Sequence, residues 1–132
     1  MATIFTKIIK GEIPSYRIAE NDAFFAFLDI NPNAIGHTLV VPKREVDRIF
    51  DLEEQEYLDL MAFSRRLAMA MELVIPCDRV GISVIGLEVP HCHVHLIPLQ
   101  DMSSANFANS LNLSPQEFES TAEKIRYSFE NS

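Results

Sequence analysis

The sequence predicts an α+β domain with an antiparallel sheet of about five strands, one long helix and a C-terminal helix. Three observations favour this fold class. Short apolar runs between turn-forming residues are typical of strands that pair through hairpins. Residues 54–74 carry an apolar stripe with helical spacing. Ser114 is a capping residue followed by a proline and, at the third helical position, Glu117, which marks the start of a helix.

The first part of the chain predicts a short helix followed by three strands. Residues 4–9 have apolar side chains at helical spacing, and the pattern stops before Gly11. The strand candidates are residues 16–20, 24–28 and 37–41. An Asn-Asp turn separates the first two, residues 29–36 are rich in turn formers, and Pro42 ends the third strand.

The long helix begins near Asp51, which can act as a cap with Glu54 completing a capping-box-like arrangement. It runs to about Val74. The side chains expected to point inward are Tyr57, Leu60, Met61, Ser64, Leu67, Ala68 and Met71.

The last elements follow the long helix. Residues 79–85 form the next strand, and a short connection joins it to a strand that starts at His91, so the two are expected to be antiparallel neighbours. Residues 101–112 are polar and are typical of a packed loop or irregular arm. The C-terminal helix covers residues 115–129.

Length and composition limit the partners. We expect one domain over residues 1–132, with a core of about residues 3–99 followed by an arm and helix at residues 100–132. No apolar stretch approaches the roughly 18 residues of a membrane span, and no secretory signal is recognisable. We therefore expect a cytoplasmic protein that does not bind membranes. A net charge of −8 argues against nucleic-acid binding, because that requires clustered Lys and Arg.

The most informative segment is His91-Cys92-His93-Val94-His95-Leu96-Ile97-Pro98. Because alternate side chains of a strand point to opposite faces, the three imidazoles would share one face. The intervening residues would then point into the core.

Three interpretations are open for this pattern. The first is a purely structural role, which is unfavourable because burying three polar imidazoles in a core costs free energy. Zinc could be bound by two of the imidazoles with His95 or His37 as a third ligand, but no cysteine pair or helical His-x-x-x-His accompanies them. In the third interpretation, one ring nitrogen donates to a backbone carbonyl and the other presents a lone pair that attacks phosphorus. We favour this chemistry, with no metal and no cofactor.

The motif resembles that of the histidine-triad (HIT) superfamily of nucleotide hydrolases and transferases. The similarity spans about residues 3–99, and four further segments agree with it: residues 4–9, 11–14, 26–32 and 36–43. It implies the HIT-like fold. It also implies a homodimer in which helix 54–74 and a neighbouring strand pair across a two-fold axis.

The resemblance also implies roles for single residues. It makes His93 the nucleophile, with His91 and His95 beside it and His37 as the fourth histidine of the pocket. Asp29 matches the acidic residue that accepts hydrogen bonds from the ribose hydroxyls. The apolar residues that match those enclosing the base are Phe5, Ile8, Phe27 and Ile30.

Two departures from the family pattern concern the phosphate and the leaving group. Glu88 stands where the nucleotide-binding branch has a serine or threonine, and an ionised carboxylate cannot donate a hydrogen bond to phosphate. The phosphate-binding asparagine of the family is absent, and Ser83 is the nearest polar candidate. The cysteine pair that holds a structural zinc in some bacterial relatives is also missing.

We therefore expect hydrolysis or transfer of a purine nucleoside monophosphate from a phosphoramidate or a dinucleoside polyphosphate, through a nucleotidyl-histidine intermediate. Two alternatives remain at this point. One is a nucleotide-binding or sensing protein with little turnover, and the other is a zinc-dependent hydrolase.

Overall fold

Five strands form one antiparallel sheet, as expected for the α+β class. They are β1 (Arg17–Glu20), β2 (Phe24–Leu28), β3 (Thr38–Pro42), β4 (Arg79–Ser83) and β5 (Val94–Leu99). The computed structural model describes residues 2–132. The strand order is β1-β2-β3-β5-β4, so β1 and β4 are the edge strands and β5 lies between β3 and β4.

Three α-helices cover the sheet. They are α1 (Ile4–Ile9), α2 (Glu54–Val74) and α3 (Pro115–Glu130). The alternation of strand side chains separates two apolar clusters. The larger one includes Phe24 and Val40 and lies against α2 and α3. The smaller one includes Phe25 and Val41, which point to the opposite face, and it contains Phe5 of α1.

The long helix starts differently from the prediction. Asp51 ends a short 3-10 helix, and the N-cap of α2 is Glu53, whose side chain makes no capping bond. The predicted capping box at Asp51 and Glu54 is therefore wrong, because Asp51 belongs to the 3-10 helix and two residues lie between it and α2. The inward face also includes Phe63 and Ala70, while three of the residues expected there are only partly buried: Tyr57, Met61 and Ala68.

The C-terminal region agrees with the prediction. The side chain of Ser114 accepts from the backbone N–H of Glu117, and the Glu117 carboxylate accepts from the backbone N–H of Ser114. The arm before α3 contains only a short 3-10 helix at Met102–Ala105. Within residues 2–132, none of the helices has the length and apolar character needed to cross a membrane.

The loop between β2 and β3 makes a sharp turn at Gly36, which positions His37 at the end of the sheet. Gly36 has a φ of 94°, which L side chains rarely adopt. A Cβ there would also lie 3.2 Å from Cγ of Pro98. Glycine is therefore needed immediately before His37, and this turn lets the His37 side chain approach β5.

Candidate active site

The histidine motif joins the sheet only at its third histidine. β5 begins at Val94, and the pairing of β3 with β5 begins at Val40 and Val94, so the first two histidines precede the strand. The predicted strand from His91 is therefore too long. The alternation of faces is confirmed, because the rings of His91 and His93 contact Phe5 of α1. The intervening core residues are Cys92, Val94 and Leu96.

The ring of His93 is held by one backbone carbonyl. Its Nδ1 lies 2.9 Å from the carbonyl oxygen of His91. A carbonyl only accepts, so Nδ1 carries the proton and the lone pair of the neutral ring is on Nε2. The ring packs edge-on against Phe5, with centroids 5.0 Å apart, and against His95, at 4.9 Å. No hydrogen bond within residues 2–132 uses Nε2 of His93, so this lone pair is available to an electrophile.

His91 uses both of its ring nitrogens inside the protein. Nε2 donates to the carbonyl oxygen of Pro42 over 2.7 Å. The other nitrogen, Nδ1, must then accept, and it lies 2.7 Å from the hydroxyl of Thr3. Burial lowers the pKa of His91, against the opposing effect of the Pro42 carbonyl. His91 therefore fixes the backbone carbonyl that orients His93 and has no ring nitrogen left for a ligand.

The N-terminus of α1 is tied to this histidine. The hydroxyl of Thr3 accepts from the backbone N–H of Thr6, which makes Thr3 the N-cap of the helix. Glu45, just beyond β3, accepts from the backbone N–H of Thr3 over 2.8 Å and from the hydroxyl of Thr6 over 2.5 Å. These bonds lower the pKa of Glu45. The first turn of α1 is thereby fixed beside His91.

His37 and His95 form a second pair. The backbone N–H of Asn33 donates to Nδ1 of His37 over 2.9 Å, so the proton of the neutral His37 ring is on Nε2. Nε2 of His37 lies 3.0 Å from Nδ1 of His95, which must accept. The proton of the neutral His95 ring is then on Nε2. The backbone amide of Asn33 thus sets the tautomers of both rings, and His95 presents an N–H donor.

Burial keeps both rings of this pair neutral. It lowers the pKa of His37 to about 3, with a further contribution from the nearby His95 and His93. Burial, with a contribution from His93, lowers the pKa of His95 to about 4. At neutral pH, His95 therefore acts as an uncharged hydrogen-bond donor rather than as a proton source.

Asp29 lies directly after β2 at the same end of the sheet. Its Oδ1 accepts from the backbone N–H of Asn31 over 2.9 Å, and its Oδ2 is 3.7 Å from Nε2 of His37. Burial raises the pKa of Asp29, and the charge of Glu88 acts in the same direction. Because His37 is neutral, this contact is not an ion pair. The carboxylate keeps acceptor capacity for hydroxyl groups of a ligand.

The four apolar residues predicted to enclose a base differ in exposure. Phe5 and Phe27 are buried and pack edge-on with ring centroids 5.7 Å apart. Ile8 is partly buried against the same cluster. Ile30 leaves 65% of its surface exposed beside Asp29. The two rings form a fixed apolar floor, whereas Ile30 is open to solvent.

Ser83 and Glu88 lie at the edge of the site. Ser83 is opposite His95 in the register of β4 and β5, so both side chains are on the same face. Ser83 is half-buried. Glu88 is an exposed residue of the connection between these strands, and its charge influences the pKa of Asp29. The carboxyl groups of Glu88 and Asp29 are therefore close enough for the charge of one to affect the other.

The ligand atoms of Asp29, His37 and His95 lie within 4.8 Å of one another, so they are the candidate metal ligands. The hydrogen bonding does not fit this use. A ligating histidine normally donates through its second nitrogen, but Nδ1 of His37 accepts from Asn33. Nε2 of His37 therefore carries a proton, and coordination would require breaking the Asn33 bond or forming an imidazolate.

The C-terminal arm, residues 100–114, crosses the same region. The ring of Phe107 packs edge-on against His95, with centroids 4.9 Å apart, and against His37, at 6.0 Å. The backbone N–H of Leu111 donates to the carbonyl of Pro32 over 2.8 Å. Two contacts thus hold the arm against the histidines and against the loop that carries Asp29.

Several residues that contact the histidines were not predicted from the sequence. Thr3 and Asn33 act through a hydroxyl and a backbone amide, and Phe107 comes from a segment without periodic pattern. A threonine directly before an apolar helical run is a recognisable N-cap signal, so Thr3 could have been found as a cap. Its contact with His91 could not, because the two are 88 positions apart.

Comparisons with known proteins agree with the geometry. The HIT domain family model matches residues 10–102. Adenosine 5'-monophosphoramidase HNT1 of Saccharomyces cerevisiae is 41% identical over 108 residues, which are 78% of this chain and 66% of the yeast protein. Adenosine 5'-monophosphoramidase hnt1 of Schizosaccharomyces pombe is 31% identical over 129 residues, covering 95% of this chain and 96% of that protein.

A solved structure, that of a zinc-bound histidine triad family protein from Mycobacterium smegmatis, superposes with a TM-score of 0.83. It is 26% identical, and the match covers 99% of this chain and 95% of that one. The family model covers more than half of the sequence and includes the whole histidine motif. The chain therefore belongs to the HIT family.

Proposed function

We propose that this chain is a nucleotide hydrolase or transferase that acts on a purine nucleoside monophosphate joined to a leaving group through its α-phosphorus. The observation that carries the proposal is the 2.9 Å bond from Nδ1 of His93 to the carbonyl of His91. It leaves the lone pair on Nε2 and stabilises the positive charge that develops on the ring during attack.

The reaction would proceed in two displacements. Nε2 of His93 forms a bond to the α-phosphorus while the bond to the leaving group breaks, and the leaving group takes that electron pair and a proton from solvent. Water then forms a P–O bond and releases a proton to solvent, the N–P bond breaks, and its electrons return to Nε2. In a transfer reaction, another nucleophile takes the place of water.

The equatorial oxygens need donors, and His95 is the ring suited to supply one. Its Nδ1 accepts from His37, so its Nε2–H can donate a hydrogen bond to a phosphate oxygen. His91 cannot contribute through its ring, because both of its nitrogens are bonded to Pro42 and Thr3. We therefore assign His91 to the positioning of His93. Ser83 is a second candidate donor because it lies opposite His95.

Asp29 would bind the ribose. Its carboxylate lies beside the neutral His37 and is suited to accept from vicinal hydroxyls. The base would lie on the apolar floor formed by Phe5 and Phe27, with Ile8 beside it and the exposed Ile30 becoming buried on binding. Such a slot favours a large planar base without a dense set of hydrogen bonds.

Glu88 bears on the leaving group. Its negative charge acts near Asp29, so a leaving group that carries additional phosphates would be repelled. An amine leaving group would be favoured. The two yeast relatives are named adenosine 5'-monophosphoramidases. We therefore prefer phosphoramidates to dinucleoside polyphosphates as substrates. In a screen of both classes, kcat/KM should be higher for adenosine or guanosine phosphoramidates.

The proposal predicts that His93→Ala lowers turnover by roughly a thousandfold or more, since loss of the nucleophile removes several kcal/mol of barrier reduction. Binding of adenosine monophosphate should persist, because Asp29 and the apolar floor remain. Rapid quench with substrate labelled at the α-phosphate should give acid-labile label on the wild type alone. Label on the His93→Ala protein would show that another residue carries the chemistry.

Two other functions can be distinguished from the proposed one by activity measurements in chelator and by single-turnover labelling. A zinc hydrolase would lose activity in chelator, although the bond from Asn33 to His37 makes a zinc site here unfavourable. A nucleotide-binding protein with little turnover is favoured by Glu88 in place of a hydroxyl donor. It would form the labelled intermediate slowly, or fail to form it, in a single turnover.

A homodimer belongs to this proposal. The outer face of α2 carries the exposed side chains Leu58, Met69 and Leu73, and α2 packs beside the edge strand β4. A helix stripe and a free strand edge side by side are suited to pairing with a second copy across a two-fold axis.

A further inference from the structure

The C-terminal arm is a part of this chain that extends past the family domain. The family model ends at residue 102, whereas the arm continues to residue 114 and leads into α3. Its course is fixed by local bonds. Asp101 accepts from the backbone N–H of Ser103, and Asn106 accepts from that of Ala108. Phe107 lies within the second of these turns, so its ring is presented by an ordered backbone.

Phe107 is the residue of the arm whose ring meets the histidine pair. It makes edge-on contacts with His95 and His37, and Asp29 approaches the same imidazole of His37, with Oδ2 at 3.7 Å from Nε2. The ring is 42% exposed. One part of it is packed against the two imidazoles, and the remaining part is exposed to solvent.

The arm is also hydrogen-bonded to the loop between β2 and β3, which carries Asp29. The backbone N–H of Leu111 donates to the carbonyl of Pro32, three residues after Asp29. A ligand held by Asp29 and by the N–H of His95 would therefore lie next to the exposed part of the Phe107 ring. Contact with the ligand would remove apolar ring surface from water, which is favourable.

We propose that Phe107 is a wall of the nucleotide pocket that packs against the ribose and phosphate end of a bound nucleoside monophosphate and slows its release. This inference rests on the proposed function, because it uses the same nucleotide pose. It gives the arm, which lies beyond the matched family domain, a role in nucleotide affinity. The chemistry at His93 does not involve Phe107, since the bonds that set its tautomer run to His91.

The test is the affinity of the full-length protein for adenosine monophosphate, measured by titration calorimetry. Phe107→Ala should weaken binding roughly tenfold, which corresponds to about 1.4 kcal/mol. Phe107→Tyr keeps the ring and should bind within about twofold of the wild type. Met102→Ala is the matched control, because Met102 is on the same arm and is 86% exposed. It should leave the affinity unchanged.

Kinetics give a second readout. Phe107→Ala should raise KM for a phosphoramidate while kcat stays within about twofold of the wild type, because a binding wall is removed and the nucleophile is intact. A large fall in kcat with KM unchanged would overturn the inference in favour of a role in orienting His95. Unchanged affinity and unchanged KM in Phe107→Ala would also overturn it.

Failure of the proposed function would look different. If the wild type binds no purine monophosphate and forms no labelled intermediate, the proposed function and this inference fall together. If the wild type binds and turns over while Phe107→Ala equals it, only this inference is wrong. Thermal unfolding of each variant checks that the arm substitution has not unfolded the domain. If Phe107→Ala is unstable, Phe107→Leu keeps apolar bulk but loses the ring, and it should still bind more weakly than the wild type and Phe107→Tyr; affinity equal to the wild type would overturn the inference.

Discussion

At the scale of single residues, the four histidines of the site differ in which ring nitrogen the protein occupies. His93 is bonded at Nδ1 to a carbonyl, His37 accepts at Nδ1 from a backbone amide, and His95 accepts at Nδ1 from His37. His91 is bonded at both nitrogens. In the proposed reaction, four imidazoles of identical chemistry would thus serve as one nucleophile, one donor and two positioning groups. Backbone groups set the tautomers of His93 and His37, and the hydrogen bond from His37 then sets the tautomer of His95.

His37 should make the protein sensitive to acid. Its pKa is about 3 in the folded state and about 6.5 when unfolded, so between these values the unfolded chain binds the extra proton. The free energy of unfolding should therefore fall as the pH is lowered from 6.5, by up to about 1.4 kcal/mol per pH unit from this group. Urea unfolding at pH 7 and pH 4.5 should show a smaller difference for His37→Leu than for the wild type.

His37→Gln provides the control for that measurement. Its amide does not titrate, so it should also reduce the pH dependence. It can place a donor near Nδ1 of His95, so it should lose less stability at pH 7 than His37→Leu, which leaves that acceptor unpaired at a cost of about 1–3 kcal/mol. Equal pH dependence in the wild type and His37→Leu would show that other groups cause the acid sensitivity.

At the scale of elements, α1 is part of the site although it is only six residues long. Its cap residue Thr3 bonds His91, and its Phe5 ring packs on His93. The helix has too few residues to be stable alone, so tertiary contacts must hold it. The bonds of Glu45 to Thr3 and Thr6 provide such contacts. The helix that packs on the proposed nucleophile is therefore held in place by side-chain hydrogen bonds from outside the helix.

Thr3→Val should lower kcat roughly tenfold with little change in KM, because an unpaired Nδ1 lets His91 and its carbonyl shift while the nucleotide contacts remain. Thr3→Ser keeps the hydroxyl and should restore most of the rate. Lys7→Ala changes an exposed side chain of the same helix that takes no part in the bonds of Thr3, Thr6 or Glu45, so its kcat should stay near the wild type. Steady-state kinetics on one phosphoramidate compare all three. Equal loss in the Val and Ser variants of Thr3 would contradict this role.

The sequence predicted most elements because their signals are local. The α3 capping box needs only Ser114 and Glu117, and the hairpin of β1 and β2 needs only neighbouring residues. Long-range contacts explain the differences. β5 starts at Val94 because that is where pairing with Val40 of β3 begins, which no feature of the motif itself encodes. The candidate site was identified from histidine spacing and family resemblance, but the bonds that set each tautomer come from residues distant in sequence.

At the scale of the whole molecule, the sheet has two unlike edges. β1 lies at the end that α3 covers, whereas β4 lies at the other end beside α2. The exposed apolar side chains of α2 at positions 58, 69 and 73 fall on one side of the helix, since these spacings are close to whole turns. Ile82 on β4 is also exposed. One apolar patch therefore lies at this end of the molecule, beside an unpaired strand edge.

This asymmetry predicts a dimer formed through α2 and β4. Light scattering at micromolar concentration should give twice the chain mass of 15.0 kDa. Leu73→Asp places a charge on a side chain that is 77% exposed in the single chain, so it should leave the fold intact and give a monomer. Tyr127→Asp on α3, which packs at the β1 end, is the control and should remain dimeric. A wild-type monomer would refute the dimer, and a Leu73→Asp dimer would mean that the two copies meet through a different surface.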